Sequence, residues 1–226
     1  NSLTAWSVDA TEDVTSSTTI NADDGLWINA PSALAVATVG ASTYAILGAA
    51  GTDSISVVEL NADGSMVVVD HVLDARDTRF GGVTSLEVII VDDQTYVVAA
   101  GADDGISVFA LLEGGLLVHL ASIEDTDDVG LDNISDVVGL ATTTGFELFA
   151  ASSSEPGITK VAFENGARGM TATATLAGGL LSGTAGSDVL QGHDGNDVIS
   201  GGAGNDIVRD GEGSDMMSGG AGADIF

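Results

Sequence analysis

Glycine and aspartate return every nine residues at the end of this chain, and that spacing suits one kind of chemistry. Residues 183–226 read GTAGSDVLQ, GHDGNDVIS, GGAGNDIVR, DGEGSDMMS and GGAGADIF. Glycine recurs at Gly186, Gly195, Gly204, Gly213 and Gly222, and aspartate follows at Asp188, Asp197, Asp206, Asp215 and Asp224. A calcium ion takes about six to eight hard oxygen ligands at roughly 2.3–2.6 Å. A glycine-rich turn lets backbone carbonyls approach such an ion where a Cβ would obstruct them, and one carboxylate per turn supplies charge. The candidate metal-binding residues are the five aspartates with the turn residues around them: Gly183, Ala185 and Gly186; Gly192, Asp194 and Gly195; Gly201, Ala203 and Gly204; Asp210, Glu212 and Gly213; and Gly219, Ala221 and Gly222.

The pattern is G-G-x-G-x-D-x-U-x with U apolar, and here the chain resembles the hemolysin-type calcium-binding (RTX) family, whose tandem nonapeptides wind into a parallel β-roll. The resemblance implies Ca²⁺ as the bound cofactor. It also implies export from a Gram-negative bacterium by a type I route with an uncleaved C-terminal signal. Each coil of such a roll uses two nonapeptides, so Asp188, Asp206 and Asp224 are expected on one side and Asp197 and Asp215 on the other. Ions held between successive turns on the same side give roughly three complete sites. The three residues after each aspartate form a short strand that sends one apolar side chain inward and its neighbours outward. Leu190, Ile199, Val208, Met217 and Phe226 are therefore expected to stack as a thin core. Eight acids against Arg209 give residues 183–226 a net charge of −7, which about three Ca²⁺ nearly cancel. Some positions depart from the pattern: Thr184 and His193 stand at the second glycine, Asp210 at the first, and Ala223 at the polar residue before the last aspartate.

Acidity extends over the whole chain. Its 226 residues hold 34 acids and 5 bases, for a formal charge of −29, with no cysteine. Such a surface repels nucleic acid and anionic lipid and favours cations or basic partners. A hydrophobic content of 44% with 17% charged residues is too apolar for a disordered protein. Without cysteine there are no disulfides, and in an extracellular setting calcium takes over that stabilising role. The longest apolar stretches, such as residues 86–91, are far too short to span a bilayer, and no signal peptide is visible. The chain starts at Asn1 inside a strand pattern and stops at Phe226 before the ninth position of its last unit, so the reading expects a piece of a longer protein.

Something must carry the repeats, and a weaker period runs upstream of them. Segments beginning at Ser32, Thr84 and Ser135 match at offsets of 52 and 51. Each is followed by a second strand (residues 44–48, 96–100 and 146–150) and a third (54–58, 105–109 and 157–161). Asp63-Gly64, Gly114-Gly115 and Asn165-Gly166 then supply hairpin turns into fourth strands at 66–72, 116–121 and 170–176. A four-stranded meander of about 50 residues cannot bury both faces alone, so copies must pack face to face, as propeller blades do. In architecture this looks like WD40-like or lactonase-like repeats. The reading divides the chain into a β-propeller-like module at 1–176 (partial blade 1–31, then repeats 32–83, 84–134 and 135–176), a linker at 177–182 with Gly178-Gly179 as hinge, and the roll at 183–226. The fold class expected is all-β: β-propeller-like four-stranded repeats followed by a C-terminal parallel β-roll.

No nucleophile elbow, zinc-protease, Walker A or dinucleotide motif occurs. His71 and His119 fall on fourth strands, away from the central channel where propeller active sites sit, and His193 falls in a roll turn. The acid clusters Asp92-Asp93, Asp103-Asp104 and Glu124-Asp125-Thr126-Asp127-Asp128 read as solvated loops, and Trp6 and Trp27 as blade or inter-blade packing. The reading is a secreted, calcium-dependent protein. Its upstream module acts in binding or extracellular assembly, with a protein, a cell surface or a second copy as partner. The alternative is a propeller hydrolase with a metal held by loop carboxylates in the upstream module.

Overall fold

The computed structural model describes residues 1–164, 168–174 and 177–226. Two units divide it: Asn1–Ala141 with Glu147–Val161, and Thr142–Phe146 with Ala162–Phe226.

In the first unit the chain is a run of meanders. Strands β1 (Leu3–Val8) and β2 (Val14–Ile20) pair antiparallel as a two-stranded sheet. After a one-turn 3-10 segment at Ala22–Asp24, capped by Asn21 and closed by Gly25 at φ 88°, two four-stranded antiparallel sheets follow. The first joins β3 (Pro31–Val39), β4 (Ser42–Ala49), β5 (Ser54–Leu60) and β6 (Met66–Leu73) in chain order. The second joins β7 (Ser85–Val91), β8 (Gln94–Ala100), β9 (Gly105–Leu111) and β10 (Leu117–Glu124) in the same way. A third sheet holds β11 (Ile134–Ala141), β12 (Gly145–Ser152) and β13 (Ile158–Glu164).

Turn chemistry explains the hairpins. Asp92 and Asp93 both sit at positive φ, 46° and 64°, between the paired residues Val91 and Gln94. This is the two-residue turn that matches strand twist, and aspartate tolerates it. Gly64 (φ 86°) turns the chain from β5 to β6, where Asp63 accepts from the Ser65 N–H at 2.9 Å. The expected turn at Asn165-Gly166 lies outside the described residues.

Consecutive sheets meet through their first strands. Ser32 donates to the Val83 carbonyl, Thr84 to the Ile134 carbonyl, and the Val137 N–H to Ser85, so β3, β7 and β11 lie side by side. Tyr44, Ile46, Phe80, Val97 and Phe109 form the core between the first two four-stranded sheets, with Phe80 and Phe109 edge to face at 5.7 Å. No sheet among the described residues closes on itself. Both tryptophans are exposed, Trp6 at 63% and Trp27 at 68%, which corrects their expected place in the packing. Trp6 belongs to a sheet of only two strands, and Trp27 is held by its indole N–H on the Ala22 carbonyl.

The largest difference from the sequence reading lies at the start of the roll. The expected fourth strand of the third repeat is instead β14 (Arg168–Thr173), which pairs in parallel with β16 (Ser187–Gln191), and β16 pairs with β18 (Ile207–Arg209). The residues taken for a linker contain β15 (Leu180–Ser182), which pairs in parallel with β17 (Val198–Ala203), itself paired with β19 (Met216–Ala221). Residues 175 and 176, the end of the expected fourth strand, lie outside the described residues. Two three-stranded parallel sheets thus form the roll, and partners stand eighteen residues apart, except Arg168 and Ser187, which are nineteen apart across a register shift. Leu190, Ile199 and Val208 are buried between them, with Ala172, Leu181 and Met217 packed alongside. Phe226 is 62% exposed and does not join this core. The outward neighbours also split: Leu180, Val198 and Met216 are exposed, whereas Val189 and Ile207 are buried.

Candidate metal centre

The register of the parallel strands fixes where the aspartates stand. Because Val189 pairs with Ile207 and Val198 with Met216, each aspartate lies beside the one two units on. The Asp188 N–H donates to Asp206 Oδ1 at 2.8 Å, the Asp206 N–H to Asp224 Oδ1 at 3.1 Å, and on the other side the Asp197 N–H to Asp215 Oδ1 at 2.8 Å. The two rows expected from the alternation of nonapeptides are both present. Asp188, Asp197 and Asp206 are buried.

A second row, which the sequence reading did not assign, runs through the residue before each aspartate. Ser187 Oγ accepts from the Asn205 N–H at 3.2 Å, Asn205 Oδ1 from the Ala223 N–H at 3.0 Å, and Asn196 Oδ1 from the Ser214 N–H at 3.0 Å. Aspartates reach back to the preceding coil and these residues reach forward to the next, so each turn is tied in both directions. The recurrence of Ser and Asn in this position was the available signal.

Glycine at the first position of a unit is a steric requirement. A Cβ on Gly183 would overlap both the Gly201 carbonyl oxygen and Asp188 Oδ2, and a Cβ on Gly201 would overlap Asp206 Oδ2 and meet the Gly219 carbonyl oxygen. Carboxylate and carbonyl oxygens therefore converge on the space that the missing side chain leaves. At the second position, Gly202 (φ 111°) and Gly211 (φ 92°) use the left-handed region, which Thr184 and His193 do not.

Asp206 provides the test of fit. Its Oδ2 is buried and has no hydrogen-bond partner, and burial raises its pKa, with the negative charges of Asp188 and Asp224 adding to the rise. An unpaired buried carboxylate oxygen between two like charges is costly unless a cation accompanies it. Among the described residues no three His, Cys, Asp or Glu side chains form a metal-holding group, so backbone carbonyls must complete any coordination shell. Hard oxygens from carboxylates and carbonyls suit calcium. The extra acids Asp194, Asp210 and Glu212 lie on the even-numbered units, where Asp194 and Glu212 meet in a parallel bridge, and His193 Nδ1 is 3.3 Å from Asp194 Oδ1.

Upstream, some of the loop acids brace neighbouring segments. Asp53 and Asp104, both at φ 46°, repeat one brace: Asp53 Oδ1 accepts from the Gly82 N–H at 2.7 Å and Asp104 Oδ1 from the Asn133 N–H at 3.4 Å. Asp103 is pushed up in pKa by burial and by the nearby charge of Asp74. A hydrogen bond with Asp132 raises Asp104, while the Ser154 hydroxyl lowers Asp132. Glu124 pairs with Arg79 at 2.5 Å. His71 and His119 lie on the edge strands β6 and β10, each against a serine hydroxyl, Ser56 at 2.8 Å and Ser122 at 2.9 Å.

The sequence model of the RTX calcium-binding nonapeptide repeat, in four copies, matches residues 178–208 and again 196–226. The C-terminal segment is thus a run of RTX repeats, and such repeats bind calcium. No curated protein matches the chain. No helix among the described residues is long and apolar enough to cross a membrane.

Proposed function

We propose that this chain is a secreted calcium-binding protein whose roll folds on Ca²⁺ outside the cell. The ligands are the aspartates of the two rows, with carbonyls of the first, third and fourth residues of each unit. Ions sit in the gaps 188/206, 206/224 and 197/215, three in all. The observation that carries this reading is the unpartnered, buried Asp206 Oδ2 in the row of like charges. An ion that binds the folded roll and not the unfolded chain stabilises by about 2.7 kcal/mol per site when present at a hundredfold excess over its Kd. In low-calcium cytosol that term is absent, so the roll stays unfolded until export. The route is the type I pathway of a Gram-negative bacterium, as the RTX resemblance implies. Calcium titration followed by circular dichroism tests the reading: β structure in the roll should grow with calcium and not with magnesium, and an unchanged spectrum in millimolar calcium refutes it.

The upstream module is a propeller-like stack that acts in binding or extracellular assembly, with a second copy of this chain as partner. In support, its first strands lie side by side, and the same strands expose Leu34, Val36, Val138 and Leu140 at the two ends of the series while Leu86 and Val88 between them are packed. Native mass in calcium checks this: a monomer at micromolar concentration rules out the second copy.

A further inference from the structure

The nine-residue spacing continues upstream of Gly183, through residues 178–182, which the repeat model reaches, and on to β14, which it does not. Ala172 and Leu181 pack on Leu190, Ile199, Val208 and Met217, so apolar residues spaced by nine extend the core through two further units. The register agrees: Ala172 pairs with Leu190 and Leu181 with Ile199. In these two units the place of the aspartate falls to Met170 and Gly179, neither of which offers a carboxylate.

We propose that residues 168–174 and 177–182 belong to two aspartate-free repeats that cap the roll, joining it through backbone hydrogen bonds in gaps that take no calcium. The inference rests on the calcium reading above. The Met170 N–H donates to Asp188 Oδ1 at 2.5 Å and the Gly179 N–H to Asp197 Oδ1 at 2.6 Å. Each of these gaps holds one carboxylate where an ion gap holds two. That carboxylate is also tied to its own turn. Asp188 Oδ2 accepts from the Thr184 N–H at 2.7 Å, and Asp188 Oδ1 also accepts from the Thr184 hydroxyl at 3.1 Å. Asp197 Oδ2 accepts from the His193 N–H at 3.3 Å. Thr184 and His193, the two departures at the second glycine, thus belong to the turns that meet the cap. Asp206, one coil on, keeps its bare Oδ2. Repeat arrays need atypical end units to finish their core, and here the end units keep the N–H to Oδ1 bond made in every gap of the roll and lack the second carboxylate.

Calorimetric stoichiometry on the full chain tests this: three ions support it, four or five overturn it, and none sinks the calcium reading itself. Gly179→Asp restores the missing carboxylate where there is room, since a Cβ there meets nothing nearer than 3.9 Å. A fourth ion in that variant supports the inference, and a folded variant still binding three overturns it.

Discussion

The N–H of Asp206 donates to Oδ1 of Asp224 at 3.1 Å, one coil further along the roll, while its own Oδ1 accepts from Asp188. Asp206 therefore borders two of the three proposed ion gaps, and Asp215 borders one. Asparagine keeps the acceptor oxygen and removes the charge. Asp206→Asn should reduce calorimetric stoichiometry from three ions to one, and Asp215→Asn from three to two. Equal losses in the two variants would contradict the arrangement of ions by gap.

Acid should oppose calcium and favour the ion-free roll. Burial first, then the charges of Asp188 and Asp224, raise the Asp206 pKa above its ordinary 3.8. A carboxyl whose folded pKa lies above its unfolded value contributes stability that is complete below the unfolded value and is lost as pH rises through the folded one. In chelator, the roll should therefore weaken as pH climbs from below 3.8 through that raised value, and Asp206→Asn should flatten the slope. With calcium present the sign reverses, since the ion competes with the proton. Thermal melts against pH in both conditions check this, and parallel curves would contradict it.

Six side chains stack along the roll at intervals of nine, and their truncation should cost according to burial. Leu190 is fully buried, whereas Phe226 is 62% exposed. Leu190→Ala should destabilise the calcium-loaded roll by about 2–5 kcal/mol, and Phe226→Ala by less than about 1 kcal/mol. Urea midpoints in saturating calcium measure both. A larger loss at Phe226 would place the end of the core at that residue after all.

The aspartate rows could be read from sequence because glycine and aspartate are demanded by local geometry, at a period short enough to see in one chain. Upstream of residue 183 the glycine-aspartate period gives out, although the repeat model reaches back to residue 178, since the cap units keep only the requirement for an apolar inward residue. Ala172 and Leu181 satisfy that requirement, yet look like any strand residue. β14 was read as a blade strand for the same reason: its alternation fits either sheet, and only the partner, β16 or β13, decides. Asp104 reads as a solvated loop acid because sequence shows its charge and not the Asn133 N–H that it receives, and Asp53, which makes the same brace to Gly82, is not singled out by sequence at all. His71 and His119 were placed correctly on fourth strands, because the hairpin turns before them fix the strand order. Trp6 and Trp27 were misplaced because size argues for burial only where a second layer exists to cover them.

Steric closure at the first glycine of a unit yields the last expectation. A Cβ on Gly201 would overlap Asp206 Oδ2 and approach the Gly219 carbonyl oxygen to 2.5 Å, so it would intrude on the oxygens of two successive turns at once. Backbone on one side and a tethered carboxylate on the other leave little room to relax. Overpacking of this kind costs about 1–3 kcal/mol, and here it also displaces oxygens assigned to the ion. Gly201→Ala should raise the calcium midpoint for roll folding by at least tenfold, whereas Gly179→Ala, whose Cβ meets nothing nearer than 3.9 Å, should leave it within about twofold. Calcium titrations of the two variants by circular dichroism make the comparison, and equal midpoints would mean that the first glycine does not guard the ion site.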